Sequence, residues 1–352
     1  MDMEHGPETP VGAPSDGGPE NGGKKPGFLK KLSAMFIPKK GDSARTLTSK
    51  IIALVAAVVV VAALVMGGLL LHKYIVKNIE LEKAKGLYPS SSETSSDSDG
   101  EVPDNVWNPE DPDLDPELGI STDFLELHET NKDVVGYLEI PDTKLSMPVV
   151  QGDDNEYYLD HTLEKKYNPF GIPFADHRVT FSPNYQSDNV TIYGHAAKDG
   201  TFFAPVKEYK DIEFYKKHPT LTFDTIYGKG LYKIVGVMMV DTDITKKDLF
   251  NFHDYNDMSE EQFDYFMDQV YKRTYFNTDV DVKFGDNLLT LSTCDTDVIN
   301  SNTTPYRMAL VARKVRPGEV MDVDVSKAEI NKDVTMPDGW IKKFGKQTPF
   351  DK

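Results

Sequence analysis

The chain has 352 residues, enough for one or two domains, and a formal net charge of −18 at pH 7. Phosphate binding needs a basic surface, so this charge argues against nucleic acid as a partner and is most simply a solubility feature. The single cysteine, Cys294, excludes an intrachain disulfide and Cys-rich zinc or iron–sulfur sites.

A long apolar run follows a polar N-terminal segment. Residues 1–50 are rich in Gly, Pro and Lys, and we expect a disordered cytoplasmic tail there. Residues 51–71, IIALVAAVVVVAALVMGGLLL, carry no charge, and a helix of about 20 apolar residues spans a bilayer. The run is too long for a cleavable signal peptide, so we predict an uncleaved transmembrane anchor. Basic residues precede and follow it, and their small asymmetry favours a cytoplasmic N-terminus.

Residues 72–119 are expected to connect the anchor to a folded domain. They begin as a helical extension of mixed charge and continue, from residue 88, as an acidic stalk rich in Ser and Pro. Such a composition cannot bury enough apolar surface to offset the entropy of ordering the chain. The string SDSDGE at 96–101 is similar to part of a calcium loop. Its remaining ligand positions are missing, so no metal site is predicted.

Residues 120–316 contain short strand-like runs separated by turn residues. Runs of this length and spacing predict an all-β barrel or sandwich. One helix interrupts them, because Ser259 and Gln262 form a capping-box pattern and apolar side chains follow at helical spacing. Residues 317–352 form a polar C-terminal extension, to which the sequence assigns no role. The predicted strands are 134–140, 145–150, 189–194, 231–240, 288–294 and 307–315.

Cys294 ends the strand-like run LLTLSTC. Because side chains alternate along a strand, Leu289 and Leu291 share one face, and the other face carries Leu288, Thr290, Ser292 and Cys294. That second face is less apolar, so the cysteine is expected to face a groove. A lone buried cysteine is more often an inert apolar residue, so this placement is what makes Cys294 a candidate nucleophile.

Arg307 opens the next predicted strand. It alternates with Met308 and Leu310, so it faces outward as Cys294 does, and antiparallel pairing would bring the two side chains close together. An arginine beside a thiol favours the thiolate and donates hydrogen bonds to a developing oxyanion. Without that neighbour Arg307 would be an ordinary surface residue.

His195 follows the strand-like run NVTIYG, where a strand gives way to a loop. A histidine in such a position can serve as a general acid or base. The spacing of residues does not select it over the other candidates. These are His161, His177, His218 and His253.

Several segments, in order along the chain, resemble a class B sortase over roughly residues 120–315. The string TLSTCD at 290–295 is similar to the nucleophile strand of that family, and IYGHAAKDGTFF at 192–203 to its catalytic-histidine segment. Arg307, at the start of RMALVARKV, is similar to its arginine strand. The remaining matching segments are residues 131–161 and 171–178.

The resemblance implies a mainly β fold. We expect a sortase-type closed barrel of about eight strands, with N-terminal helices and one long helix before the nucleophile strand. It implies that residues 120–316 form the catalytic domain, with Cys294 as nucleophile and His195 as general acid and base. Arg307 is expected to stabilise the oxyanion and the substrate.

The resemblance also implies the reaction and the partners. We expect a thioacyl-enzyme, formed by cleavage of a sorting-motif peptide in secreted proteins and transferred to an amine of a peptidoglycan precursor. Ser292, Thr293 and Asp295 are expected to contact substrate, although a packing role fits Ser292 and Thr293 equally well. No cofactor is expected. The domain would lie outside a Gram-positive cell, attached to the cell membrane by one transmembrane helix.

Two departures from the family pattern leave substrate preference and the arginine open. Ala196 and Ala197 stand where the family often has Asn-Met, and the loop between Cys294 and Arg307 is longer than expected. Arg313, on the same strand face as Arg307, is therefore a second candidate for the arginine role.

Three alternative functions remain from the sequence. A pilus-assembling sortase would use a pilin lysine, but the chain lacks the Asp-Pro-aromatic signature and the second apolar span typical of that class. A plain cysteine peptidase would use the same residues and transfer the acyl group to water. A stalked surface-binding protein without catalysis would have an unreactive thiol.

Overall fold

The computed structural model describes residues 36–89, 105–109, 112–246, 249–301 and 304–351. Most of the predicted N-terminal tail and the calcium-like string at 96–101 lie outside the described residues. The chain divides into two compact units, residues 1–73 and 74–352.

Helix α1 (Ala44–Lys85) contains the apolar run and is 42 residues long. The side chains of its most apolar stretch are not buried against other parts of the protein. By length and composition this helix can cross a membrane. Its last part, from Tyr74 onwards, belongs to the second unit, where Leu81 and Ala84 are buried.

The second unit is built on a closed barrel of eight strands, and the expectation of such a barrel is confirmed. Around the barrel the strand order is β1-β2-β3-β6-β10-β11-β8-β7. The barrel strands are β1 (Val134–Glu139), β2 (Ser146–Val150), β3 (Phe174–Ala175), β6 (Asn189–Tyr193), β7 (Thr220–Thr225), β8 (Leu231–Asp241), β10 (Leu288–Cys294) and β11 (Tyr306–Lys314). Two small sheets pair β4 (Phe181–Ser182) with β5 (Tyr185–Gln186), and β9 (Phe276–Asn277) with β12 (Glu329–Ile330).

The six predicted runs all became barrel strands, with bounds within one residue of those expected. Strands β3 and β7 were not predicted. β3 has only two residues, so no alternation could reveal it. β7 does alternate, with Leu221 and Phe223 buried between partly exposed neighbours, and this pattern was the missed signal.

Short helices connect the strands. Helix α5 has the predicted capping box, with Ser259 and Gln262 bonded reciprocally. Phe263 and Phe266 of α5 are buried, whereas Tyr271, at the same helical spacing, is 44% exposed. The helices after α1 are α2 (Leu125–Thr130), α3 (Ala204–Glu208), α4 (Ile212–Lys217), α5 (Glu260–Arg273) and α6 (Asp338–Phe344).

Two apolar layers enclose strands β10 and β11. Leu289, Leu291 and Leu310 belong to the cluster that fills the barrel. Leu288 and Val311 face the other way and pack with the buried side chains of α5. The side-chain alternation predicted for β10 is therefore present, and its outer face is covered by α5 near one end.

The folded unit is larger than the predicted catalytic domain. Tyr88 stacks on Tyr137 with ring centroids 4.2 Å apart, and Val106 forms a β-bridge with Val320. Trp340, in the C-terminal extension, packs in the barrel cluster. A few aromatic and aliphatic residues within polar segments are enough to attach those segments to the barrel, because each buries a large apolar area.

Candidate active site

Three neighbouring strands bring Cys294, Arg307 and His195 to one end of the barrel. Cys294 is the last residue of β10 and lies directly opposite Arg307 of the antiparallel strand β11. On its other side, β10 runs parallel to β6, and Ser292 pairs with Tyr193. His195 and Cys294 each follow that pair by two residues. The thiol therefore lies between a histidine segment and an arginine strand, each one strand spacing away.

An open pocket of about 830 Å³ lies at this end of the barrel. Its lining contains the predicted nucleophile, histidine and arginine together. The lining residues are Asn155, Leu159, Phe174, Tyr193, Gly194, His195, Thr242, Phe252, His253, Ser292, Thr293, Cys294 and Arg307. A second cavity of about 520 Å³, beside the end of α1, is lined by neither cysteine nor histidine.

The His195 ring is oriented by a backbone carbonyl. Its Nε2 lies 2.9 Å from the Leu159 oxygen, in a short 3-10 helix (Tyr157–Leu159). A carbonyl oxygen can only accept, so Nε2 carries the proton and donates it in this bond. Nδ1 is then the ring nitrogen that remains for proton exchange at the pocket.

The Arg307 guanidinium is held from one side. Its Nη1 donates to the Tyr306 oxygen at 3.1 Å and to the Thr304 oxygen. Both of these bonds use Nη1, and they fix the orientation of the planar guanidinium. Its Nε and Nη2 take no part in these two bonds. Arg307 is partly exposed and lines the pocket.

Among the competing histidines, only His253 also lines the pocket. It lies in the loop between β8 and α5, in a short 3-10 helix (Phe252–Asp254). Burial lowers the pKa of His253, and Arg178 and Arg307 act in the same direction against Asp254. His253 is therefore neutral at pH 7. As a neutral imidazole it can form a hydrogen bond at the wall of the pocket.

Two hydroxyl groups near the thiol have no assigned partner. The Oγ of Ser292 and the Oγ1 of Thr293 are buried and make no hydrogen bond within the described parts of the chain. Both residues line the pocket. Whether they contact substrate stays a prediction, because the two hydroxyl oxygens themselves are buried.

Asp295 does not lie in the pocket, contrary to the expectation that it contacts substrate. Its side chain is fully buried, and its carboxylate binds Lys210 and accepts from the Asp297 backbone N–H at 2.8 Å. Because side chains alternate along a strand, the Asp295 side chain points to the side opposite Cys294. There it stabilises the loop that follows β10. Sequence adjacency to the nucleophile was therefore misleading.

Arg313 is also excluded from the pocket by its position. It lies opposite Leu288, at the far end of the β10–β11 pair, and its side chain is fully buried. Its guanidinium forms ion pairs with Glu319 and Asp281. The second candidate for the arginine role is thus a structural residue.

One wall of the pocket is built on a buried carboxylate that the sequence did not reveal. Asp176 is fully buried and accepts hydrogen bonds from Tyr193 Oη at 2.8 Å and Asn155 Nδ2 at 3.1 Å. Burial opposes ionisation, but bonds from Arg178 and Tyr193 hold the Asp176 pKa at about 2. The ionised Asp176 therefore fixes two lining residues, Tyr193 and Asn155. Only the resemblance of the segment GIPFADHR could have indicated it.

The pocket lining offers a thiol, two imidazoles, a guanidinium and hydroxyl groups for chemistry. Within the described ranges, no group of three or more His, Cys, Asp or Glu side chains is arranged to bind a metal ion.

Comparison with known proteins places these residues in a family context. A family model described as Sortase domain matches residues 138–315. Sortase B of Listeria monocytogenes is 30% identical over 217 residues, which cover 62% of this chain and 77% of that protein. Sortase B of Staphylococcus aureus is 31% identical over 193 residues, 55% of this chain and 75% of that protein. The solved structure of a Staphylococcus aureus sortase B–substrate complex aligns with a TM-score of 0.50 at 29% identity, covering 56% of this chain and 86% of that one.

Proposed function

This chain belongs to the sortase family, as a class B member, and from that premise we propose that Cys294, His195 and Arg307 carry out its transpeptidase reaction. The observation that supports these roles is the arrangement of three neighbouring strands that end at one pocket. Of the histidines considered, His195 is the one that directly follows β6, the strand paired with the strand of Cys294. His253 comes from the loop after β8, on the other side of Arg307.

In the first step the Cys294 thiol gives its proton to His195 Nδ1, and the thiolate attacks the carbonyl carbon of a peptide in the pocket. The new C–S bond forms a tetrahedral oxyanion, which the unused edge of the Arg307 guanidinium and nearby backbone N–H groups stabilise. The C–N bond then breaks, and His195 Nδ1 gives its proton to the leaving amine. The product of this step is a thioester between the substrate and Cys294.

In the second step an incoming amine attacks the thioester carbonyl. His195 Nδ1, now without its proton, accepts the proton that the amine loses. The C–S bond breaks, the thiolate is regenerated, and a new amide joins the two partners. Ser292 and Thr293 contribute hydrogen bonds to the bound peptide backbone, which their unpaired hydroxyls favour.

The partners follow from the class of enzyme. The peptide is a sorting motif of a secreted surface protein, and the amine belongs to a peptidoglycan precursor, which makes the reaction an anchoring step. A pilin lysine would supply the same nucleophilic group. The apolar helix α1 anchors the enzyme in the cell membrane with the N-terminus in the cytoplasm and the catalytic domain outside.

The proposal also gives each part of the chain a place. Residues 1–50 form the cytoplasmic tail, 51–71 the membrane anchor and 72–119 the connection. Residues 120–316 carry the catalytic barrel, and 317–352 extend it. The packing of Trp340 in the barrel cluster supports a structural role for that extension.

The test separates transfer from hydrolysis. The full chain in detergent micelles would be incubated with a combinatorial peptide library and hydroxylamine, and the products identified by mass spectrometry. The wild-type enzyme should form peptide hydroxamates, whereas Cys294→Ala should lower the rate by on the order of 10⁴-fold or more. Iodoacetamide provides a matched control, because Cys294 is the only thiol in the chain.

Two results would contradict the proposal. Hydroxamate formation by Cys294→Ala at the wild-type rate would remove the cysteine from the mechanism. Carboxylic acids as the only products, at any hydroxylamine concentration, would identify a plain cysteine peptidase.

A further inference from the structure

A buried lysine outside the pocket lies at the end of helix α1. Lys77 is 3% exposed, and its Nζ forms an ion pair with Asp199 and a hydrogen bond of 3.2 Å to Thr201 Oγ1. The rings of Phe170 and Phe202 lie 5.1 and 5.9 Å from the same nitrogen. A buried ammonium group is costly unless it is paired, so these contacts are needed to keep the Lys77 side chain in its buried position. In this they differ from an exposed surface ion pair.

The partners of Lys77 lie at the tip of the loop that carries His195. The loop closes on itself, because Ala196 forms a β-bridge with Phe202 and the Phe203 N–H donates to the His195 oxygen at 2.9 Å. Asp199 lies at the turn between these paired residues. Lys77 therefore holds the closed end of a short hairpin whose open end is the candidate catalytic histidine.

Asp199 is held in its ionised form by the same contacts. Burial opposes ionisation, but hydrogen bonds from Lys77 and Thr201 hold the Asp199 pKa at about 2. Lys144 adds a bond of 2.8 Å to the Asp199 backbone oxygen. The carboxylate thus remains charged across the whole physiological pH range, so the ion pair does not depend on pH there.

Helix α1 also reaches the segment that orients the His195 ring. Glu80, three residues after Lys77, accepts a hydrogen bond of 2.6 Å from Asn168 Nδ2. The Asn168 N–H in turn donates to the Asp160 oxygen at 2.8 Å. Asp160 follows Leu159, whose oxygen accepts the bond from His195 Nε2. One helix therefore contacts the histidine loop directly and, through Asn168, is linked to the segment that supplies the ring's acceptor.

We propose that Lys77 is a positioning residue for His195, and that the end of α1 is a working part of the active site. The contact of Lys77 with Asp199 and Thr201, here named the helix clamp, fixes the loop from which His195 projects. Through Asn168, Glu80 supports the segment whose Leu159 carbonyl sets the His195 tautomer. This inference rests on the proposed role of His195 as general acid and base. A displacement of about 1 Å at a catalytic group is enough to lower a rate substantially.

The test compares two lysines of the same helix in the full chain, in detergent micelles. Lys77→Met removes the charge and keeps the apolar stem. Lys83→Met is the matched control, because Lys83 is 61% exposed and its pair with Glu164 contributes little. The substrate is the best peptide found in the library screen, with hydroxylamine as the amine. The kcat is divided by the concentration of folded chain, which the amplitude of the near-UV circular dichroism spectrum measures, so loss of folded protein does not count.

We expect Lys77→Met to lower kcat by on the order of tenfold or more, with KM changed by less than about twofold. The pH at which kcat is half-maximal should also move, because the histidine environment changes. Asp199→Asn keeps the shape of the loop and should act in the same direction, and it replaces Lys77→Met if that variant does not fold. Lys83→Met should retain the kcat and the pH profile of the wild type.

The inference is overturned if folded Lys77→Met or Asp199→Asn keeps the wild-type kcat and pH profile, whatever their melting temperatures. In that case the helix clamp serves stability alone. His195→Ala separates the two levels of the argument. If it retains wild-type activity, the proposed role of His195 fails. If it is inactive while Lys77→Met is normal, only the helix clamp fails.

Discussion

At one end of the β10–β11 pair Cys294 lies opposite Arg307, and at the other end Leu288 lies opposite Arg313. Both arginines are on the same strand and the same face. Arg307 lines an open pocket and bonds backbone carbonyls through one nitrogen. Arg313 is fully buried and surrounded by carboxylates.

The difference between the two ends shows what makes an arginine functional. A guanidinium whose donors are used by carboxylates and backbone carbonyls, as those of Arg313 are, stabilises the fold and cannot respond to a reaction. One that keeps donors directed at a pocket can stabilise a charge that appears only in the transition state. Side-chain parity is the same at both ends, so the surroundings alone decide the role.

The largest effect should come from the buried end. Arg313→Ala leaves Glu319, which Arg313 and Lys233 both bind, without its main partner. We expect a loss of about 3 kcal/mol in the free energy of unfolding, the low end for breaking a buried ion pair, because Glu319 keeps Lys233 as its remaining charged partner. Denaturant unfolding of the second unit measures it. The kcat/KM of the remaining folded chains should equal that of the wild type, and a large drop there would break the distinction between the ends.

The open end should show the reverse pattern. Arg307→Ala should lower kcat/KM by about 10²- to 10³-fold, because it removes oxyanion stabilisation, with little change in the midpoint of unfolding. Peptide transfer to hydroxylamine measures the rate, with Arg313→Ala as the control. Equal small losses in the two variants would remove Arg307 from the site.

The smallest expected effect is a pH dependence of the stability that the buried arginine provides. Burial opposes ionisation of Glu319, but Arg313 and Lys233 hold its pKa well below the usual range. A carboxyl with a lowered folded-state pKa contributes stability above its unfolded pKa of about 4.3, and this is lost as the pH falls. The difference in unfolding free energy between the wild type and Arg313→Ala should therefore be full at neutral pH and shrink below about pH 4. A pH-independent difference would show that the ion pair is not its cause.

Local patterns were enough for the strands that carry the site. The alternation of Leu289 and Leu291 with polar neighbours predicted which side of β10 Cys294 would take, and the register with β11 then placed Arg307 opposite it. The capping box of α5 was likewise readable from Ser259 and Gln262. Such features depend on residues a few positions apart, and local stereochemistry controls them.

Features that join distant segments could not be derived in this way. The parallel pairing of β6 with β10 puts His195 beside Cys294, although about a hundred residues separate them. Asp295 adjoins the nucleophile in the chain but binds Lys210 away from the pocket. The ion pair of Lys77 with Asp199 could not be predicted either. The composition of the segment around Lys77 indicated only a helical connection.

The sequence by itself determined the apolar helix, the strand periodicity and, through family resemblance, the candidate nucleophile, histidine and arginine. These follow from local composition and alternation, which act over one element at a time. Only the tertiary structure showed that Arg307 and His195 lie at the thiol's pocket, that Arg313 does not, and that the end of α1 holds the histidine loop. Those outcomes depend on pairing and burial between segments far apart in the chain. The partners of a charged group offset its desolvation cost and determine whether it stabilises the fold or faces the pocket.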